Sequence, residues 1–170
     1  MIGIYFSGTG NTKYCVEKLI QAYDPMAEVT SIEEENVVQR ISLHNEIVIG
    51  YPVQFSNIPK IVKDFIVDNQ DVWNGRNIFV VATMGMFSGD GAGILARLLR
   101  KYGANIMGGL HLRMPDSICN EKALKKPFHK NQELIAKAAD KIEKAAQKLK
   151  EGNPPQEGLG FLSHAAGLLG

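Results

Sequence analysis

A short segment near the start of the chain is rich in groups that bind phosphate. It consists of Ser7, Gly8, Thr9, Gly10, Asn11 and Thr12. Glycines let a backbone approach a ligand closely, and a helix start offers unpaired N–H groups at the positive end of its dipole. A helix cap needs only one hydroxyl or amide side chain, whereas this segment has four. The sequence therefore predicts a phosphate-binding loop that uses neither a lysine nor a metal.

The motif differs from four patterns that occupy similar places in other proteins. A mononucleotide P-loop needs glycine before its lysine, but Thr12 precedes Lys13, and a dinucleotide fingerprint needs a third glycine where Lys13 stands. A phosphoacceptor receiver domain needs acidic residues where this chain has a serine and a glycine. A hydrolase elbow needs a glycine two residues before its serine, and Ser88 has Met86 there. With these four patterns excluded, a ligand with a terminal monophosphate is the remaining candidate for the loop.

Two further segments, 51–57 and 84–91, have the composition of a slot for a flat ring. The first offers apolar and aromatic surface at Pro52, Val53 and Phe55. The second combines methionines and a phenylalanine with glycines, where backbone can come close to a ligand. Such a slot suits a hydrophobic ring edged by hydrogen-bonding atoms. Asp90 ends the second segment, where it is expected either to cap the next helix or to contact the ligand.

The elements that would position these segments alternate along the chain. Apolar runs typical of buried strands lie at 2–6, 27–32, 46–50, 77–83 and 105–112. Each is followed by a helical pattern, the last one long and ended by Gly152. Strand–helix alternation predicts an α/β fold with a parallel sheet and helices on both faces. Ligands bind such sheets at the carboxyl ends of the strands, which is where all three segments fall.

Composition limits the class of protein. With 170 residues, 45% hydrophobic and 22% charged, the chain is expected to form one globular domain, here 1–151, followed by a tail or linker remnant at 152–170. The net charge of +1 argues against nucleic-acid binding. Two cysteines form neither a disulfide framework nor, alone, a metal site, and they favour a reducing compartment. No apolar run is long enough for a membrane helix, so we expect a soluble, cytoplasmic protein.

The segment from Ile4 to Thr12 (IYFSGTGNT) resembles the FMN-phosphate loop of flavodoxins. Over about residues 1–150 the resemblance implies a flavodoxin-like three-layer sandwich with a five-stranded parallel sheet of order 2-1-3-4-5. The segments YPV at 51–53, IPKIV at 58–62 and MPD at 114–116 are closer to the flavodoxin-like domain of flavodoxin–ferredoxin fusion proteins of anaerobic bacteria. The cysteine array of the fused ferredoxin has no counterpart in this sequence.

The resemblance also implies a set of FMN-binding residues. Ser7, Thr9, Asn11 and Thr12, with the amides of Gly8 and Gly10, would hold the phosphate. Pro52, Val53, Gln54 and Phe55 would flank one side of the isoalloxazine, and Met84, Gly85, Met86, Phe87 and Gly89 the other, with Asp90 nearby. The flavin would be the reactive group, so no side chain is expected to be catalytic and no metal is expected.

Two functions are consistent with this site. The first is an FMN-binding electron carrier that exchanges electrons with partners such as a ferredoxin or an iron–sulfur domain. The second is an FMN-dependent NAD(P)H oxidoreductase of quinones or small acceptors. The second is motivated by the neutral charge, since flavodoxins are typically acidic around the flavin, and by the lack of a glycine in 51–57. A weaker third possibility is a docking domain without redox function.

Two other residues have simpler interpretations. Cys15 lies on the apolar side of the first helical pattern and is expected to be a buried small residue rather than a redox thiol. His111 alternates with Leu110 and Leu112. We expect it to be a partly exposed strand residue rather than a proton donor to a flavin.

Overall fold

A computed structural model describes residues 1–85, 90–115 and 128–160 of the chain. Its centre is a parallel sheet of five strands: β1 (Ile2–Tyr5), β2 (Glu28–Ser31), β3 (Glu46–Pro52), β4 (Asn77–Met84) and β5 (Asn105–Arg113). The strands lie in the order β2-β1-β3-β4-β5, which confirms the expected order. In the register of the central strands, Ile4 on β1 pairs with Thr30 on β2 and with Ile49 on β3.

Helices cover both faces of the sheet. They are α1 (Asn11–Tyr23), α2 (Val37–Ser42), α3 (Lys60–Asp68), α4 (Ala92–Lys101) and α5 (Phe128–Lys150), with a 3₁₀ turn at Gln70–Trp73. One apolar cluster joins the sheet to α1 and α5, and the other joins it to α2, α3 and α4. Along β3, Ile47 and Ile49 belong to one cluster and Val48 to the other, so the strand is buried on both sides, as a parallel sheet requires.

Strands β3 and β4 continue slightly beyond the apolar runs that predict them. They end at Pro52 and Met84, where Pro52 pairs with Thr83. Both strands therefore reach into the segments expected to face a ligand. Helix α5 begins at Phe128, earlier than the first apolar position of its pattern, Leu134.

The segment after α5 packs along the outer edge of β5. The amide of Gly109 donates to the carbonyl of Pro155 (2.8 Å), and the amide of Glu157 donates to the carbonyl of Gly109 (2.9 Å). A Cβ at Gly108 would overlap the carbonyl of Pro155, and a Cβ at Gly109 would overlap the carbonyl of Glu157, so these two adjacent glycines make room for the close approach. Residues 153–159 thus cover part of a strand edge that would otherwise offer unpaired N–H and C=O groups.

Cys15 is fully buried against the sheet, as expected, and burial raises the pKa of its thiol to about 12. The thiol therefore stays protonated and unreactive at neutral pH. The second cysteine, Cys119, lies outside the described residues. Within the described ranges, no helix has the length and apolar character to cross a bilayer, and no group of three or more His, Cys, Asp or Glu side chains could hold a metal ion.

The contact between the tail and β5 predicts the effect of a small substitution. Gly109→Ala places a methyl group against the carbonyl of Glu157, and we expect the free energy of unfolding to fall by ~1–3 kcal/mol in urea denaturation. Gly8→Ala is the matched control, because no described atom lies within 4 Å of a Cβ built there. Equal stability of the two variants would contradict the packing of 153–159 on β5.

Candidate functional site

The loop between β1 and α1 presents its backbone to solvent at the carboxyl edge of the sheet. The amide of Gly10 donates to Oγ of Ser7 (3.1 Å), and Gly10 has φ 92°, a left-handed conformation that glycine adopts without strain. Because Gly10 precedes α1 directly, no side chain caps the helix from this position, and the first turn has no acidic residue. The positive end of α1 is therefore suited to an anion.

Thr12 and Asn11 brace this loop against other parts of the site. Thr12 is 1% exposed, and its Oγ1 lies 2.7 Å from Oγ1 of Thr83 at the end of β4. The side-chain amide of Asn11 donates to the carbonyl of Pro115 (2.9 Å). Both residues are among the predicted phosphate ligands, and their side chains make these contacts within the protein.

Thr83 connects all three predicted segments. Its hydroxyl contacts Thr12 and lies 3.5 Å from the carbonyl of Tyr51, and its own carbonyl accepts the amide of Val53 (2.8 Å). The sequence does not predict a role for this residue. The only sequence signal is a hydroxyl within an otherwise apolar strand, which does not identify its partner.

The segment after β3 forms a tight two-residue turn. The backbone groups of Gln54 and Asn57 donate to each other (3.0 and 2.8 Å), which places Phe55 and Ser56 at the tip. Phe55 has φ 47° and Ser56 has φ 58°. Two successive positive φ angles are typical of a type I′ turn, which normally uses Asn and Gly. Phe55 is also 100% exposed, so no packing contact of its side chain with the described residues compensates for the cost of its positive φ.

The described residues at the two ends of the segment after β4 have different surroundings. Met84 and Gly85 lie at the cleft, whereas the predicted residues Met86, Phe87 and Gly89 lie outside the described residues. At the far end Asp90 is 2% exposed and its carboxylate pairs with Arg97 on α4. The hydroxyl of Tyr51 donates to the carbonyl of Gly91 (2.6 Å). Burial raises the pKa of Tyr51, with a further contribution from the Asp90 carboxylate, so this hydroxyl stays protonated as a donor.

These loops enclose a cleft of about 240 Å³. It is lined by Ser7, Gly8, Thr9, Asn11, Thr12, Pro52, Val53, Gln54, Thr83, Met84, Gly85, Met114 and Pro115. Ten of these thirteen are predicted site residues, and Thr83, Met114 and Pro115 are additions. Gly10, Phe55 and Asp90 are described but do not line the cleft.

The donor set of the cleft fits a phosphorylated flat ring. Hydroxyl groups and loop glycines gather at the start of α1, and no described atom lies within 4 Å of a Cβ built at Gly8 or Gly10. Several other lining residues are apolar, Val53, Met84 and Met114 among them. Among the described lining residues none carries a charge, so the cleft attracts an anion through the helix dipole and N–H groups rather than through a lysine or arginine.

Residues 2–110 match the family model described as a flavodoxin domain. The two-electron reduced flavodoxin of Megasphaera elsdenii superposes with a TM-score of 0.62 at 22% identity, covering 87% of this chain and 99% of that one. Oxidised Flavodoxin 2 of Bacillus cereus has a TM-score of 0.65 at 16% identity, covering 88% and 97%. A flavodoxin, WrbA-like protein of Agrobacterium tumefaciens has a TM-score of 0.56 at 15% identity, covering 86% and 96%. At these identities the likeness concerns the fold. A search of curated proteins finds no match.

The strained turn after β3 predicts a stabilising substitution. Ser56→Gly removes the cost of a positive φ, and we expect the free energy of unfolding to rise by about 0.5–1 kcal/mol. Ser42→Gly, at the end of α2, is the matched control and should instead lower it by about 0.5–1 kcal/mol. Urea denaturation of both variants measures this, and a loss of stability in Ser56→Gly would contradict the turn conformation.

The buried contact between the two threonines predicts a second effect on stability. Thr83→Val keeps the shape of the side chain but leaves the Thr12 hydroxyl buried without its partner, so we expect a loss of about 1–3 kcal/mol. The double variant Thr12→Val, Thr83→Val should lose less than the sum of the single variants. Strict additivity in a double-mutant cycle would show that the two hydroxyls do not interact.

Proposed function

The chain belongs to the flavodoxin family, and from this premise we propose that it binds FMN in the cleft and carries electrons between redox proteins. At the level of the family, such a domain binds a flavin and transfers electrons. The identity of the flavin as FMN, the residues that hold it and the role as a carrier are the proposal. The observation that carries it is the start of α1, which opens without a side-chain cap onto a cleft with apolar walls.

The β1–α1 loop would bind the phosphate of FMN. The backbone amides at the start of α1 lie at the positive end of the helix, and Ser7 and Thr9 add hydroxyl donors. Oγ of Ser7 also accepts a hydrogen bond from the amide of Gly10, and this bond helps to fix the backbone conformation of the loop. Hydrogen bonds to a charged phosphate are stronger than neutral ones, so most of the discrimination for FMN over a flavin without phosphate would come from this loop.

The β3 and β4 segments would hold the ring. Pro52 and Val53 offer apolar surface on one side, and Met84 with Met114 on the other, which would exclude water from the ring faces. When bound, FMN supplies the group that accepts and donates electrons. The described lining residues include no carboxylate, so the walls themselves add little charge that would oppose electron uptake.

An iron–sulfur protein is the proposed partner. The two cysteines of this sequence are too few for the thiolates of a cluster, so electrons would have to come from or go to another centre. The fully exposed Phe55, two residues beyond the cleft-lining Val53, gives a partner an apolar contact beside the ring site.

An FMN-dependent NAD(P)H oxidoreductase of quinones or small acceptors is the second candidate. The observation that favours it is the uncharged lining of the cleft, which would allow a neutral acceptor to approach the ring. The likeness in fold to the WrbA-like protein of Agrobacterium tumefaciens is compatible with either function. Rapid anaerobic reduction of the FMN-loaded protein by NADH or NADPH would support the oxidoreductase, and reduction only by a reduced iron–sulfur protein would support the carrier.

The proposed phosphate contact predicts a selective loss of affinity. Thr9→Glu places a carboxylate in the loop, where it repels a phosphate dianion, so we expect FMN binding to weaken by about tenfold or more while riboflavin binding stays unchanged. Quenching of flavin fluorescence by the apoprotein measures both affinities. Ser42→Glu on α2 is the control and should bind both flavins like the unmodified protein.

An unmodified protein that binds neither flavin would refute the proposed function. If Thr9→Glu weakened FMN and riboflavin equally, flavin binding would stand but the assignment of the phosphate to this loop would be wrong.

A further inference from the structure

We propose that Asn11 is a positioning residue for the flavin ring, whose side chain holds the wall formed by Met114 and Pro115 rather than the phosphate. The proposal rests on FMN binding in the cleft. Asn11, Met114 and Pro115 all line that cleft, so the contact between them acts at the site itself. The resemblance to flavodoxins assigns Asn11 to the phosphate instead, and the two roles predict different results with flavins that carry or lack a phosphate.

The hydrogen bond that carries the proposal crosses the site. The side-chain amide of Asn11, the first residue of α1, donates to the carbonyl of Pro115, which follows β5, at 2.9 Å. In the sheet, β3 and β4 lie between β1 and β5. Neighbouring strands are ~4.8 Å apart, so β1 and β5 are separated by roughly 14 Å. The bond therefore joins two parts of the site that the sheet itself keeps apart.

The neighbouring residue, Thr12, brings Asn11 within reach of this wall. The hydroxyl of Thr12 contacts Thr83 at the end of β4, the strand next to β5. The start of α1 thus lies at the carboxyl ends of the central strands. Because the contact between the threonines is buried, it fixes the position from which Asn11 reaches Pro115.

The wall is tied to β4 at Met114 and to α1 at Pro115. Met114 is 3% exposed, and its amide donates to the carbonyl of Met84 at 2.8 Å, which continues the pairing of the two strands past the end of β5. Pro115 cannot continue this ladder, because a proline has no N–H to donate. Its carbonyl is held by Asn11 instead. Loss of the Asn11 donor would leave the wall tied to β4 but no longer to α1.

The two roles of Asn11 predict different ligand selectivities. A side chain that binds the phosphate strengthens the binding of FMN and leaves riboflavin, which has no phosphate, unaffected. A side chain that positions a wall beside the ring strengthens the binding of both, because both flavins carry the same ring. The ratio of the two affinities therefore distinguishes a positioning residue from a phosphate ligand.

Asn11→Leu tests the proposal in the full-length apoprotein, with quenching of flavin fluorescence as the measure of both affinities. Leucine resembles asparagine in shape but has no N–H to donate. Loss of this hydrogen bond should weaken the binding of FMN and of riboflavin alike, by about five- to tenfold. Hydrogen exchange gives a readout without a ligand, since the amide of Met114 should exchange about five- to tenfold faster in the Asn11→Leu apoprotein.

Asn69→Leu is the matched control. The side-chain amide of Asn69 also donates to a backbone carbonyl at 2.9 Å, that of Phe65, and this bond is likewise partly buried. Asn69 follows α3 and is not among the residues that line the cleft. Its substitution should leave both flavin affinities and the exchange of the Met114 amide unchanged.

Asn11→Asp keeps the proposal testable if Asn11→Leu fails to fold. An aspartate in the first turn of a helix is favoured by the helix dipole, so this variant is expected to fold. Its ionised carboxylate cannot donate to the carbonyl of Pro115, so riboflavin affinity should fall as in Asn11→Leu. FMN affinity should fall further, because the new charge repels the phosphate.

The outcomes separate this proposal from the one on which it rests. An unmodified protein that binds neither flavin would overturn both. A loss confined to FMN in Asn11→Leu would make Asn11 a phosphate ligand and would overturn the positioning role alone. Unchanged affinity for both flavins in folded Asn11→Leu, unchanged exchange of its Met114 amide, or unchanged riboflavin affinity in Asn11→Asp would also overturn that role.

Discussion

The arrangement of the site depends on one buried contact, between the hydroxyls of Thr12 and Thr83. Thr12 belongs to the first turn of α1 and Thr83 to the end of β4, so this contact holds the β1–α1 loop against the strand that leads to the segment after β4. The carbonyl of Thr83 also receives the amide of Val53 from the segment after β3. Burying two hydroxyl groups costs free energy unless they are hydrogen-bonded. The contact therefore favours the one arrangement of α1 and β4 in which the two hydroxyls meet.

Side chains from distant strands also hold the start of α4, at the far end of the segment after β4. Tyr51 and His111 supply the hydrogen bonds that a local cap would otherwise make, and the tail after α5 holds His111 from outside the sheet. Loops that carry function are usually positioned by a rigid scaffold rather than by their own contacts. Residues 153–159 belong to this scaffold, because they pack along the outer edge of β5.

The sequence predicts the strands and helices, and it singles out the β1–α1 loop, because both leave local signals. Strand and helix periodicities report burial, and the hydroxyls and glycines from Ser7 to Thr12 are unusual for a cap. The role of Thr83 was not predictable, since its partner lies 71 positions away. The positive φ angles of Phe55 and Ser56 were missed because neither residue type favours them. Two adjacent glycines on β5 were the only hint of the tail.

The central claim is that one site for FMN lies at the carboxyl edge of the sheet. The most direct test is to record amide NMR spectra of the isotope-labelled apoprotein before and after one equivalent of FMN. If FMN binds there, the largest shifts should fall on the amides of Gly8, Thr9, Val53 and Gly85, which line the cleft. Shifts concentrated at the opposite edge of the sheet, or no shifts with one equivalent of FMN, would contradict it.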